Sequence, residues 1–365
     1  MNVYITGIGM VTPLGSGWAA SSDGLKRSRC ALGRLHLFDV PEDVQFPVGE
    51  VQLEVAGSGD DLPRTHRLAL EAGRQALAGR SSPPDALVIG TSTGGIAATE
   101  EHLRADCTDP AAYRYHSPGS VAASLAGTLL CRGPALTVST ACSSGLAAVS
   151  LGAALLRSGR AQCVLAGGCD ALCRLTYHGF NALQVVDGNG CRPLDRDRRG
   201  MTVAEGAAML LLEAADSPPP GAVALVAGSG LSCDAYHPAA PHPRGEGAIA
   251  AMEQALHEAA LLPEAVDLIL LHGTGTVDND LAEARAVKKV FGGVPPPLSS
   301  IKGTVGHSLA AAGAIATAAA AICLLSRRLY RRRPSMWGRG DSHPHGAFGP
   351  TSPSRGRGLV PPLPP

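Results

Sequence analysis

The chain has 365 residues, 45% of them hydrophobic and 17% charged, with 31 basic and 31 acidic side chains. That length is enough for two domain-sized cores, and the composition is not that of a disordered chain. Zero formal net charge gives no argument for nucleic acid or an anionic membrane as a bulk partner.

In chain order, Asn2 to Ile8 reads as a short strand closing on Gly7 and Gly9, followed by a turn at Thr12-Pro13-Leu14-Gly15. A dinucleotide-binding reading fails, because Thr12 stands where the last Gly of GxGxxG belongs. Helices are expected over 18–27 and 64–77, the second with Leu68, Leu70, Ala72, Ala76 and Leu77 at helical spacing, with irregular structure over 35–59 between them. Ala86 to Gly90 is a buried strand ending in Thr91-Ser92-Thr93-Gly94-Gly95. With no Lys after the glycines, that loop reads as a strand-to-helix turn rather than a phosphate cradle. A helix over 120–130 and strands over 162–168 and 207–213 follow. Ser217-Pro218-Pro219-Pro220-Gly221 is the clearest seam. After it, strands at 222–226, 266–271 and 298–301 alternate with helices at 247–260, at 280–291 and from His307. Such alternation predicts parallel sheets covered by helices. The apolar run Leu309 to Leu325 is Ala-rich and short of the ~20 residues of a membrane span, so a buried helix is expected.

Ten cysteines are scattered from Cys30 to Cys323. Cys163, Cys169 and Cys173 show no CxxC spacing, so no zinc site is expected among them, and with no cleavable leader at the start a reducing cytoplasm fits best.

The chemistry gathers at Val138-Ser139-Thr140-Ala141-Cys142-Ser143-Ser144-Gly145, where an apolar strand turns into a helix expected to open at Cys142. A thiol at a helix start faces unpaired N–H groups and the positive dipole end, which favour thiolate. Two later strands end at histidines in the same manner. Leu268 to Leu271 runs into His272-Gly273-Thr274-Gly275-Thr276, and Ser299-Ser300-Ile301-Lys302-Gly303-Thr304-Val305-Gly306-His307 runs into an Ala-rich helix. One Cys and two His at strand mouths suit a nucleophile flanked by two polarising imidazoles. Singly, each is as well explained as a structural cysteine or a hydrogen-bonded turn residue.

Together these phrases resemble the β-ketoacyl-acyl carrier protein synthases, the condensing enzymes of the thiolase superfamily, from Met1 to about Leu325. Others stand in family order: Gly7-Ile8-Gly9, Arg192-Pro193-Leu194-Asp195, Glu205-Gly206-Ala207, Asp234-Ala235-Tyr236-His237, and Asn279-Asp280 with Glu283. The resemblance implies an α/β, thiolase-like fold of two similar halves in a layered αβαβα core. The first half, 1–217, would carry the nucleophile, and the second, 222–326, both histidines. It implies decarboxylative Claisen condensation of an acyl thioester held on Cys142 with malonyl-acyl carrier protein, in fatty acid or polyketide synthesis. In that chemistry His272 and His307 stabilise the enolate and Lys302 belongs to the same catalytic group. Glu283 supports Lys302 and the loop, and Thr274 and Thr276 bond the phosphopantetheine arm. No metal is expected, and no cofactor beyond the carrier's phosphopantetheine. The implied partners are acyl carrier protein and a second ketosynthase chain, in a homodimer or a heterodimer, with no nucleic acid and no membrane. Tyr177, His178 and Phe180 are expected in the wall of the acyl pocket. Leu194 replaces the family's usual Phe and Ala204 its usual Gly, the latter strained only if φ is positive.

From Arg327 the chain changes character, with eight Arg against one acid and the ending Pro361-Pro362-Leu363-Pro364-Pro365. No counterpart of the family's C-terminal Gly-Phe-Gly-Gly loop is read there, and 327–365 is expected to be a disordered basic tail. On that reading the second half is incomplete, activity is doubtful, and the lost oxyanion donor costs about 100–1,000-fold in rate. Two other readings stay open. One is a non-catalytic partner subunit, against which the retained Cys142 argues. The other is a coenzyme A-dependent thiolase-like acyltransferase, against which the two histidines and Lys302 argue.

Overall fold

The computed structural model describes residues 1–53, 62–237 and 239–326. β1 (Asn2–Thr12) opens the chain, and β2 (Gly15–Ser16) folds back on its end before α1 (Trp18–Lys26). There follow α2 (Arg64–Ala76), β3 (Ala86–Gly90), α3 (Ile96–Arg104), α4 (Gly119–Thr128), β4 (Ala135–Val138), α5 (Ser144–Arg157), β5 (Cys163–Asp170), α6 (Arg174–Ala182) and β6 (Gly206–Ala215). Past the Pro-rich seam come β7 (Ala224–Leu225), α7 (Glu246–Glu258), β8 (Ile269–Leu270), α8 (Val277–Phe291), β9 (Leu298–Ser299), α9 (Lys302–Val305) and α10 (Ala311–Ser326). The expectation for 327–365 lies outside the described residues.

One seven-stranded sheet runs β2-β1-β6-β5-β3-β4, with β7 also paired to β1. β5, β3 and β4 are parallel, but β6 is antiparallel to both β5 and β1, so the sheet is mixed rather than parallel. A parallel neighbour needs a crossover helix on the sheet face. In the connection from β5 to β6, α6 packs against α3 instead. β8 and β9 form a separate parallel pair.

Alternation along the strands fills two apolar layers. Ile5, Val88, Val164, Leu210 and Leu212 face α5 and α10, while Leu87, Ile89, Leu165, Met209 and Leu211 face α2 and α4. The Ala-rich run is therefore a core helix, and its small side chains let it lie close to α5 and the sheet. It starts at Ala311 rather than His307, because Leu309 turns the chain at φ +49. Among the described residues no helix is long and apolar enough to cross a membrane.

Gly7 and Gly9 do not close the strand, which runs on to Thr12; packing explains them instead. A Cβ on Gly9 would lie 1.8 Å from the Ala72 carbonyl oxygen and one on Gly7 2.1 Å from that of Ala76, so α2 rides directly on the β1 backbone. Gly9→Ala is expected to lower stability by about 1–3 kcal/mol, as overpacking does in a well-packed core. A urea midpoint unchanged from the parent chain would contradict this close approach.

Candidate active site

Three loops bring the reacting groups together. Between β4 and α5 the chain turns at Ala141, whose φ of +53 is a left-handed backbone costing a non-Gly residue about 1–3 kcal/mol. Ser144 holds the turn: its Oγ accepts from Thr140 N at 2.8 Å and donates to Ala141 O at 2.6 Å. α5 starts at Ser144, so Cys142 lies at the apex of the turn and does not open the helix, contrary to the expectation from sequence.

The loop after β8 carries His272. Its N–H and that of Gly273 donate to Glu283 Oε1 and Oε2 at 2.6 and 2.8 Å, and Gly275 N donates to Asp280 Oδ1 at 3.2 Å. Glu283 and Asp280 lie three residues apart on α8, so one helix face grips the whole loop. Glu283 is thus a loop anchor rather than a solvated carboxylate. Lys302, at the start of α9, is only 4% exposed; its Nζ donates to the His272 carbonyl and, at 3.4 Å, to His272 Nδ1.

His307 is fixed through its backbone. Its N–H donates to Thr202 O at 2.7 Å and its carbonyl accepts from Ala204 N at 2.9 Å. Ala204 is not among the residues with positive φ, so its replacement of Gly carries no backbone strain. Leu194 does adopt a positive φ, +57, and its N–H donates to Asp280 Oδ2 at 2.6 Å.

These loops place Cys142 Sγ and one ring nitrogen each of His272 and His307 within 4.8 Å of one another. His307 Nε2 is 3.1 Å from Cys142 Sγ, and the two imidazole rings stand 5.2 Å apart at 87°. A Cys-His-His set could ligate zinc, but a metal-bound His donates its second ring N–H to an acceptor. His272 Nδ1 faces the Lys302 ammonium instead. Thr274 and Thr276 follow in the same loop, their hydroxyls 2.8 Å apart, with Thr274 buried.

Burial dominates the electrostatics. It pushes both imidazoles well below the ordinary histidine range, and the Lys302 charge pushes them further. Burial also pulls the Lys302 ammonium down, against support chiefly from Glu283. The Cys142 thiol is pushed up by burial, with Lys302 opposing the rise and Asp170 adding to it. Burial thus works against the thiolate expected from the helix start, and α5 itself begins two residues further on.

Of the seven site residues expected from sequence, the structure brings Cys142, His272, His307 and Lys302 together, with Glu283 behind and Thr274 and Thr276 alongside. Sequence reading assigns no role to Ser144, Asp280 or Asp170. Asp280 and Asp170 are both 0% exposed, and a carboxylate closing the wholly buried strand β5 is the available signal.

Residues 1–217 match the family described as beta-ketoacyl synthase, N-terminal domain, and residues 223–332 match its C-terminal domain. The chain belongs to the beta-ketoacyl synthase family. The synthase is 32% identical over 359 residues to the tetracenomycin polyketide synthase ketoacyl synthase alpha subunit of Streptomyces glaucescens, covering 88% of this chain and 84% of that protein. It is 29% identical over 353 residues to the 3-oxoacyl-[acyl-carrier-protein] synthase 2 of a Synechocystis strain, covering 88% and 85%. The solved ishigamide ketosynthase/chain length factor superposes with a TM-score of 0.82 at 33% identity, covering 88% and 85%. The fold is thiolase-like, and the synthase is of the acyltransferase type. The match to residue 332 also corrects the sequence reading at the C-terminus, since the family's C-terminal domain is present and the likeness passes Leu325.

Alkylation of Cys142 is expected to show a pH midpoint above that of an ordinary thiol. Lys302→Met should raise it further, because removing the cation leaves the thiolate less stabilised. Iodoacetamide labelling against pH, read by peptide mass, checks this, and a downward shift would remove Lys302 from the electrostatics of the thiol.

Proposed function

We propose that the chain catalyses the decarboxylative Claisen condensation of an acyl thioester with malonyl-acyl carrier protein. The 3.1 Å approach of His307 Nε2 to Cys142 Sγ, with a second neutral imidazole beside it, carries this reading. In the first half-reaction His307 takes the thiol proton as sulfur attacks the incoming thioester, and the carrier thiol leaves with a proton, giving acyl-Cys142. In the second, malonyl thioester loses carbon dioxide, and N–H groups of His272 and of His307, the latter carrying its single proton on Nε2 once the sulfur is acylated, bond the oxygen that becomes the enolate. The enolate carbon then attacks the acyl carbonyl and expels the Cys142 sulfur as a thiolate, which takes a proton from solvent to restore the thiol. Lys302 donating to His272 Nδ1 favours the tautomer with its proton on Nε2, where it can serve as that donor. Neutral imidazoles suit this work, because each offers a hydrogen bond without binding the enolate as a fixed ion pair. The hydroxyls of Thr274 and Thr276 would bond the phosphopantetheine arm.

The Streptomyces relative supports a place in polyketide synthesis, and the Synechocystis relative keeps fatty acid synthesis as the alternative. Association with a second ketosynthase chain is supported by the edge strand β4, where Ala135 and Leu136 are exposed a few residues before Cys142. The ketosynthase/chain length factor similarity favours an unlike partner for that edge. The ten free cysteines suit a reducing cytoplasm.

Incubation with an acyl-carrier thioester is expected to add one acyl group to the intact mass, and Cys142→Ala should abolish the gain. His272→Ala should still load but decarboxylate malonyl-carrier about 100–1,000-fold more slowly. Folded protein that never loads, alone or with a complete synthase added, would overturn the catalytic reading in favour of a partner subunit.

A further inference from the structure

Asp170 closes β5, a strand buried at all eight positions, and its own side chain is 0% exposed. A buried carboxylate is costly unless fully bonded. Glu205, equally buried, is paired with Arg64, and Asp280 lies against Arg198. The five groups that donate to Asp170 are instead neutral. Oδ1 accepts from Thr91 Oγ1 at 2.8 Å, Ser92 N at 3.0 Å, Thr93 N at 2.9 Å and Thr93 Oγ1 at 2.8 Å, and Oδ2 from Ala310 N at 2.9 Å. The Thr91–Thr93 loop, with the wording of a phosphate cradle, does cradle an anion. That anion is the chain's own.

Both arms of this network end beside the nucleophile. On one side, Ser92 Oγ donates to the Ala141 carbonyl at 3.4 Å, the residue before Cys142. On the other, Ala310 O accepts from Gly145 N at 3.0 Å, three residues after Cys142. Ala310 is itself three residues past His307. We infer that Asp170 is a positioning residue: its carboxylate ties the loop behind the Cys142 turn to the loop that carries His307, and so sets the separation across which thiol and imidazole react. It touches no reacting atom. The inference rests on the synthase reading only for the identity of the acyl donor.

The Cys142 sulfur is met by His307 from the loop before α10 and His272 from the loop after β8, and the charges of the Lys302 ammonium on α9 and the Asp170 carboxylate on β5 act on it. Asp170→Asn keeps the size of the side chain but removes its charge and one of its acceptors. In the full chain, acyl loading from an acyl-carrier thioester should fall by about 100-fold, the scale of a misplaced reacting pair. Iodoacetamide labelling of Cys142 should move to lower pH, because an anion that opposed the thiolate is gone. Cys163 and Cys169, both buried in the same strand, should stay unlabelled. Slower loading with easier alkylation, confined to one thiol, separates repositioning from general loosening. Labelling of Cys163 or Cys169, or loading and a pH profile equal to the parent's, would overturn the inference. Should Asp170→Asn not fold, Ser92→Ala removes one arm at a half-buried site and must slow loading in the same direction; parent-like loading would overturn it equally. Because alkylation needs no carrier protein, a shifted profile in a chain that never loads would sink the synthase reading and leave the positioning role standing.

Discussion

One backbone contact sets the geometry of the site: Gly145 N–H donating to the Ala310 carbonyl at 3.0 Å. Cys142 precedes the first of these residues by three positions and His307 precedes the second by three, so the contact places nucleophile and imidazole opposite each other. It exists only because the backbones meet without side chains between them. A Cβ on Gly145 or on Gly168 would stand 2.5 Å from the same carbonyl oxygen. α5 and α10 then continue away from this point, packed on each other and on the sheet, and Ala148, Ala153, Ala314, Ala318 and Ala319 keep them close. The small-residue composition of both helices thus follows from a requirement of the chemistry, since larger side chains would drive sulfur and ring apart.

Burial at that meeting point decides the charge state. Two imidazoles, a thiol, a lysine and a glutamate share a site in which Lys302 and His307 are buried and the other three half-buried, and desolvation comes first among the causes of every shift they show. Lys302 and Glu283 offset each other's cost, and both also bond the loop between them. The lysine donates to the His272 carbonyl, while the glutamate accepts from the His272 and Gly273 N–H groups. The pair therefore holds the His272 loop through its backbone while leaving the ring neutral. A neutral donor in a low-dielectric site acts more strongly on a developing oxyanion than the same group in water. The cost is a thiol less ready to ionise, which the nearby imidazole compensates by standing within hydrogen-bond distance.

Much of this is legible in the sequence. The apolar runs at 86–90 and 162–168 read as buried strands, the spacing of Leu68, Ala72 and Ala76 as a helix, and the wording around Cys142, His272 and His307 as the site. Apolar patterning reports burial but not strand direction, which is why it does not reveal the antiparallel sense of β6. The helix after Cys142 begins two residues later than the patterning implies. Its turn relies on Ala141 adopting a left-handed backbone and on Ser144 bonding it, neither of which an Ala or a Ser announces. The supporting acids are harder still. Glu283 and Asp280 look like the polar face of α8 until the His272 loop lies across them. Asp170 sits in an apolar strand whose partners come from positions 91–93 and 310.

Three stretches of this chain set small residues in or at the end of a strand, and they do three different things. At Gly7 and Gly9 the missing side chains admit the carbonyls of α2, so the glycines serve packing. At Thr91–Gly95 the backbone amides of Ser92 and Thr93 close on the Asp170 carboxylate, so the loop serves as an internal anion cradle. At Thr140–Gly145 the turn presents a thiol to an imidazole from the other half of the chain. What separates them is the group each stretch meets, and that group is remote in sequence every time. Local wording marks where the backbone can come close to something, while the tertiary partner decides whether the approach becomes a core contact, a brace or a reaction centre. Here the brace and the reaction centre are also joined, since the carboxylate held by the second turn bonds the loop that faces the third.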